Sequence, residues 1–333
     1  MSLAVSTNAK GGLCASVLIP TYQRRHALMQ TLDSLEQQSA LGRFEVVVAI
    51  DGSTDGTAEA LSSRRWSFLL RWALQTNAGT AAARNAAARL ARHEVLIFLD
   101  DDQVAAPDLV AMHLAVHERI DNAIVQGSYP LASGFDRLGA SIVYERTRTA
   151  GVADSQAGTR GRYLWGANFS VRRRTWREVG GFDEVFRSYG GEDTDFGLRV
   201  LGLGVPLVAE PRALSHHLHR VSYAGFRRNA FEAGRATVRI SRKHGIALEA
   251  LPGATMSRVD HLIGRAWRIN PGAVELLGTV AIGGLWLADR TQSRMFQVMF
   301  ARLIRRLHWV GGVTKEINGH TRQKAQPAQY GRR

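Results

Sequence analysis

Phe98-Leu99-Asp100-Asp101-Asp102 closes an apolar run, Glu94-Val95-Leu96-Ile97-Phe98-Leu99, that reads as a buried β-strand. Three consecutive carboxylates stand where that strand ends. Side-by-side carboxylates repel unless a cation or an outward-facing turn takes up their charge. A hard divalent metal carrying phosphate oxygens is one such cation. An acidic helix start before Ala106-Pro107-Asp108 is the other reading.

The chain on either side supplies the context. Residues 15–19 form a short β-rich run expected to end at Pro20, which has no N–H to give a central strand. Leu28, Met29, Leu32 and Leu35 then recur at helical spacing. Residues 44–50 read as a second buried strand, ended by Asp51-Gly52-Ser53-Thr54-Asp55-Gly56-Thr57. That cluster is a turn and helix start, with Asp55 or Thr57 as N-cap. A third strand is expected near 67–72, an Ala-rich helix over 81–92 and a further helix from Pro107 to about 118.

Strand and helix thus alternate four times with short turns. That pattern predicts an α/β fold with a doubly wound, mostly parallel, Rossmann-like sheet. Ligands bind beyond the carboxyl ends of such strands. Pro20-Thr21-Tyr22, Asp51-Gly52-Ser53 and Asp100-Asp101-Asp102 all lie at those ends and should converge.

The pattern changes after about 123. A strand at Ala123–Gln126 precedes a helix-like segment at 135–148 and a Gly-, Ser-, Ala- and Thr-rich stretch, 149–162, read as a mobile lid. Trp165-Gly166-Ala167-Asn168 follows, then a basic helix near 172–179, then Gly190-Gly191-Glu192-Asp193 and a helix over about 194–203. A last strand is expected at 206–209, with His216, His217 and His219 beyond it.

The chain has 333 residues, 45% hydrophobic and 22% charged, ordinary values for a globular protein with a sizeable core. The single cysteine, Cys14, excludes an internal disulfide framework. With a polar Met1–Gly12 that lacks signal-peptide order, it points to the cytoplasm. No stretch has the roughly 18 consecutive apolar residues of a confident membrane span. The net charge of +14 is unevenly placed: residues 222–333 hold 19 Lys and Arg against 6 Asp and Glu. Such a region seeks polyanions or an anionic membrane face.

Residues 222–245 read as a basic amphipathic helix, with a second one from Arg290 through Arg306. Residues 272–288 are apolar but broken by Glu275 and four glycines, and the tail from about 312 is expected to be disordered. The expected organisation is a catalytic domain over 14–221, a basic helical region over 222–310 and a disordered tail over 311–333. The helical region is expected to sit peripherally on the inner membrane face or to pack as an ordinary subdomain.

Two acidic centres carry chemistry. Asp100-Asp101-Asp102 suits metal and phosphate; Glu192-Asp193 sits behind paired glycines, which let the backbone pass close to a substrate. One carboxylate on metal and another free as a base suit transfer of an activated group to a hydroxyl. Asp195 and Arg199 read as an i,i+4 helix pair. The histidines are either structural or neutral metal ligands.

In order, Ser16-Val17-Leu18-Ile19-Pro20-Thr21-Tyr22, Asp51 to Thr57, Gly79…Ala83-Arg84-Asn85, Phe98 to Asp102 and Gly190-Gly191-Glu192-Asp193 resemble family 2 glycosyltransferases of the GT-A fold. The resemblance covers about 14–220. It implies that Tyr22 stacks on the nucleobase, Asp51 hydrogen-bonds it and Arg84 reaches the nucleotide. Pro20, Arg24 and Asp100 join that donor site. Asp101 would face the ribose and Asp102 the Mg2+ or Mn2+ on the diphosphate, with His216 or His217 as a further metal ligand. Asp193 would be the catalytic base, with Glu192, Gly191 and Trp165 toward the acceptor. Ile50 and Gln23 depart from the family pattern, and both bear on nucleobase choice.

The implied reaction moves a sugar from a nucleoside-diphosphate sugar to a glycan, lipid-linked or small-molecule acceptor with inversion; no nucleic acid is implied. Two alternatives stand beside it. A sugar-1-phosphate nucleotidylyltransferase would want a Gly-rich phosphate loop, which Pro20-Thr21-Tyr22-Gln23-Arg24 is not. A non-catalytic membrane-associated binding protein would not need both acidic motifs.

Overall fold

The strands that read as unbroken apolar runs are the ones covered on both faces. The computed structural model describes residues 12–135, 137–152 and 163–325. Packing divides them into two units. The first holds the described residues up to 135 with those of Arg148–Ser188 and Glu192–Arg220; the second holds Arg137–Thr147, Tyr189–Gly191 and the chain from Val221 onward.

In the first unit the order is β1 (Ala15–Thr21), α1 (Arg25–Leu35), β2 (Phe44–Asp51), α2 (Thr57–Ser62), β3 (Leu69–Gln75), α3 (Thr80–Leu90), β4 (Val95–Leu99), β5 (Gln103–Ala105), α4 (Leu109–Arg119) and β6 (Ile124–Ser128). After α5 (Gly139–Val152) come β7 (Asn168–Arg172), α6 (Arg173–Glu178), α7 (Glu192–Gly202) and β8 (Leu207–His217). The sheet order is β3-β2-β1-β4-β7-β6-β8-β5. The first four strands are parallel, β7 runs against both its neighbours, and β5 pairs with the far end of β8.

Alternate side chains of these strands go to opposite layers. Val17, Val46, Val48 and Ile97 meet Leu28 and Leu32 of α1 and Leu109 of α4. Leu18, Val47 and Phe98 meet Ala83 and Ala87 of α3 and Phe196 of α7. Two-sided burial explains why a parallel strand is apolar at every position.

Several boundaries differ from expectation, each for a local reason. Pro20 lies inside β1 rather than ending it. Only β2 runs alongside there, since the β4 pairing stops at Leu18 and Phe98, so no partner on that side lacks its missing N–H. β3 lies later than 67–72 because it is an edge strand with Leu69, Trp72 and Leu74 exposed, which blurs its pattern. The N-cap of α2 is Gly56, neither Asp55 nor Thr57. Asp55 instead accepts from the Arg25 N–H at 2.8 Å and so satisfies a free donor of α1 across the fold. β8 runs on from 209 to His217, held at its end by β5, so His216 and His217 are strand residues.

The second unit is helical: the first part of α5, then α8 (Tyr223–His244), α9 (Arg258–Ile269), α10 (Pro271–Thr291) and α11 (Arg294–Ala325). Local chemistry sets its starts. Ser222 caps α8, Ser257 and Asp260 form a capping box on α9, and Asn270 with Pro271 opens α10. Ala140, Val143, Phe226, Leu285 and Ile304 make its core. A Cβ on Gly234 would overlap the Trp309 carbonyl and one on Gly312 the Phe231 carbonyl, so α8 and α11 touch backbone to backbone.

Two expectations change here. Residues 311–325 are helix rather than disordered tail. Val310 and Val313 are buried, and Glu316 accepts from Arg235 and Arg239 at 2.8 Å each. Residues 137–147, expected in the catalytic domain, join the second unit because Ala140 and Val143 need its core and Gly139 donates to Asp289. Residues 149–152 of the expected lid lie in α5, and 153–162 fall outside the described residues.

Candidate active site

The carboxyl ends of β1, β2 and β4 bring three of the quoted motifs together. Asp51 ends β2, buried, and its carboxylate accepts from the backbone N–H groups of Ala78 and Gly79 at 2.8 and 2.9 Å and from Gln75 at 2.7 Å. It therefore shapes the turn that starts α3 as well as facing the strand ends. Tyr22, just past β1, is half exposed. Gln23, with φ of 54°, takes the left-handed conformation and ties this loop to Ser53 and Thr54 through hydrogen bonds of 3.0 and 2.9 Å.

Past β4 the three aspartates separate. Asp101 is buried, accepting from Thr21 Oγ1 at 2.8 Å and from Arg24 at 3.2 Å. Burial pushes its carboxyl up to about 7 against the pull of Arg24, and the neighbouring Asp102 adds to the rise. Asp102 faces His217 Nε2 at 3.2 Å and Arg24 at 2.7 Å. Burial works against its charge, but His217 and Arg24 outweigh it and pull the carboxyl down to about 2. Adjacent carboxyls in one cluster are thus driven apart, one readily protonated and one firmly ionised.

Asp100 turns the other way. Its Oδ1 accepts from Arg84 at 2.8 Å, and the same guanidinium reaches Glu192 Oε1 at 3.0 Å. Arg84, the residue expected to reach the nucleotide, is only 2% exposed and bridges two acids. Its charge survives burial because Asp100 and Glu192 raise its pKa. α3 approaches closely enough for this because its sheet-facing positions are alanines.

Glu192 and Asp193 open α7. Burial raises Glu192 to about 7, with Asp193 adding to the rise and Arg84 opposing it. Asp193 accepts from the Gly166 N–H at 2.6 Å and the Thr194 N–H at 2.7 Å. A Cβ on Gly166 would sit 3.1 Å from Asp193 and 3.0 Å from Arg84, so glycine is what allows this approach. The next residue, Ala167, has φ of 78°, a strained conformation for a residue with a Cβ. Its carbonyl accepts from the Asp100 N–H at 3.0 Å, which joins the 165–168 loop to the end of β4.

Several positioning residues carried no role in the sequence reading. Gln126 accepts from the Trp165 N–H at 2.9 Å and donates to the Asn168 carbonyl at 2.9 Å. Asn85 holds Phe182 by both its backbone groups, at 2.8 and 2.9 Å. Asn168 receives buried His113, whose pKa burial lowers to about 4. The one signal for these was adjacency: Asn85 follows Arg84, and Gly166 to Asn168 follow Trp165. Half-buried Trp165 is in the first unit, whereas Gly191 lies in the second, with φ of 98°.

Of the two histidines named as metal ligands, His217 is the one beside Asp102. His216 pairs with Val104 across the strand and points to the opposite face. Among the described residues no group of three or more His, Cys, Asp or Glu side chains is arranged to hold an ion. The Asp102–His217 pair nevertheless offers a hard carboxylate oxygen and an imidazole nitrogen at one point. Those two donor types are ones that Mg2+ and Mn2+ accept.

Comparison with known proteins follows the same lines. A profile described as "Glycosyl transferase family 2" matches residues 16–176, and one described as "N-terminal domain of galactosyltransferase" matches 146–222. A validoxylamine A glucosyltransferase of Streptomyces hygroscopicus subsp. jinggangensis (strain 5008) is 30% identical over 308 residues, 80% of this chain and 71% of its own length. An uncharacterized glycosyltransferase of Bacillus subtilis (strain 168) is 45% identical over 116 residues, 34% of this chain; that match spans only 30% of the relative. Among solved structures, the mannosyltransferase PcManGT from Pyrobaculum calidifontis in complex with GDP-Man and Mn2+ superposes with a TM-score of 0.61 at 20% identity, covering 95% of this chain and 90% of that one. The mostly parallel sheet with a helical C-terminal region is the GT-A fold. A transferase is the enzyme class these matches share, and the chain belongs to glycosyl transferase family 2.

Proposed function

We propose that the chain moves a sugar from a nucleoside-diphosphate sugar to an acceptor hydroxyl with inversion and with a divalent metal, in the synthesis of a cell-surface polysaccharide, glycolipid or other glycoconjugate. The observation that carries this is the Asp100–Arg84–Glu192 bridge. It links a phosphate-suited acidic cluster to Glu192, whose neighbour Asp193 is held by two backbone N–H groups.

In this reading Tyr22 stacks on the base, Asp51 and Asp101 take its edge and the ribose, and Arg24 leaves Asp102 to meet the donor. Asp102 and His217 are the residues that would hold Mg2+ or Mn2+, whose charge stabilises the departing diphosphate. Asp193 accepts the acceptor's hydroxyl proton as that oxygen bonds to the anomeric carbon. The bond from that carbon to the diphosphate breaks on the opposite side, and its electron pair leaves with the diphosphate. Trp165 and Glu192 border the acceptor. The Pyrobaculum mannosyltransferase holds GDP-Man and Mn2+ on the same fold, and the Streptomyces relative is a glucosyltransferase, so GDP-mannose and nucleoside-diphosphate glucoses with Mn2+ are the first donors to try. Residues 222–310, rich in arginine, are read as the part that meets an anionic membrane surface, where lipid-linked acceptors are held.

The test is sugar transfer across such a panel, with metal and with EDTA. Asp193→Asn is expected to lower transfer by about 10²–10⁴-fold, while the thermal shift given by donor and metal persists. Unchanged transfer in that variant overturns the assignment of the base.

A further inference from the structure

Several of the exposed apolar residues of the second unit fall into stripes. On α10, Leu276, Val280 and Leu287 follow one another at four- and seven-residue steps, with Leu276 66% and Val280 65% exposed. On α11, Met295, Met299 and Leu303 follow at four-residue steps, Met295 at 69%. The two helices pack on each other. Phe300 bridges their outer faces, its ring lying on Gly284 of α10 and 6.4 Å from Phe296. A patch of this kind on a monomer marks an interaction surface.

Its charge says what it fits. Arg258, Arg265 and Arg268 on α9 and Arg302 on α11 carry no ion pair among the described residues. Arg290 lies over the Trp286 ring at 4.2 Å, an amphipathic pair of the sort found where apolar and polar media meet. A second copy of the chain would bring arginine against arginine. An anionic phospholipid surface answers both the apolar stripe and the cations.

α10 is also the one described helix long and apolar enough to cross a membrane by length and composition. Its other face argues against crossing. Gly278 packs on the His308 ring, and Asp289 accepts from Gly139 N–H at 2.8 Å, Tyr223 at 2.9 Å and Gln297 at 2.9 Å. Those contacts hold the helix within its unit.

We infer that α10 and the start of α11, with α9 packed beside them, form an in-plane docking surface for anionic phospholipid, the apolar stripes in the acyl boundary and the arginines of α9 and α11 among the headgroups. This rests on the membrane reading of residues 222–310 and specifies its face and geometry.

The experiment is co-sedimentation of the full chain with phosphatidylglycerol–phosphatidylcholine vesicles, beside phosphatidylcholine alone. The double variant Leu276→Glu/Val280→Glu is expected to weaken partitioning by about tenfold or more, with unchanged helix content and donor-induced thermal shift. The triple variant Arg258→Gln/Arg265→Gln/Arg268→Gln is expected to release at lower salt than the wild type. Vesicle binding that survives the Leu276/Val280 change overturns this face while leaving the broader membrane reading intact. No binding to anionic vesicles overturns both, as does a concentration-dependent dimer that the same variant dissolves. Protein that resists high-salt and alkaline extraction from the vesicles replaces docking with insertion.

Discussion

The candidate site in the first unit and the outer face of the second use charge in opposite ways. In the first, charged groups are drawn inside and matched. Arg84, 2% exposed, lies between Asp100 and Glu192, and Arg199 pairs with fully buried Asp195 at 2.8 Å. In the second, arginines such as Arg265 and Arg302 stay outside among apolar side chains, while glycine contacts at Gly234 and Gly312 hold the helices together. A buried charge must have a partner in place before it is tolerated, so it specifies geometry. An exposed charge specifies very little about the fold and is left to act on whatever approaches. The first arrangement is that of a site and the second that of a surface.

Substitutions that cross this divide should break the comparison. Arg84→Met is expected to have the largest effect on folding, about 3–5 kcal/mol, because it leaves Asp100 and Glu192 facing each other without a cation. Denaturant unfolding measures it, and a loss under about 1 kcal/mol would mean that the bridge is dispensable. Gly312→Ala should follow at about 1–3 kcal/mol, since the methyl group drives α8 and α11 apart at the Phe231 carbonyl. The mirror change, Arg302→Gln, should alter stability by no more than about 0.5 kcal/mol.

A subtler contrast concerns pH. Glu192 is raised from 4.5 to about 7 in the folded protein, with burial the leading cause. Its protonated form is the one the fold favours. The stability it contributes is therefore full below its unfolded pKa and is lost as pH rises through about 7. Melting temperatures of the wild type and Glu192→Gln should draw apart between about pH 5 and pH 8, with the wild type losing ground. Parallel curves would show that Arg84 compensates Glu192 fully. No exposed arginine of the second unit should give any such signature.

The proposed donor half of the candidate site was legible because it is written at strand ends. Asp51 and Asp100 to Asp102 each follow a buried run, and a doubly wound sheet places all such ends on one edge. The proposed acceptor half was legible only as a motif. That Asp193 would be held by Gly166, and that Ala167 would adopt a left-handed conformation to reach Asp100, depends on pairing between β4 and β7, strands some 70 residues apart in sequence. The choice between His216 and His217 was likewise invisible. It turns on β8 continuing to His217, because successive strand residues face opposite sides.

The sequence by itself determined the alternating α/β order, the acidic clusters at their turns and the charge asymmetry near Val221. These follow from local period and composition, which need no partner to be read. Only the tertiary structure decided that Arg84 is a bridge, that Asp101 and Asp102 part in acidity, and that residues 311–325 are helix. Each depends on what a neighbouring element brings within a few ångströms, and the interior strengthens or forbids a charge according to that neighbour.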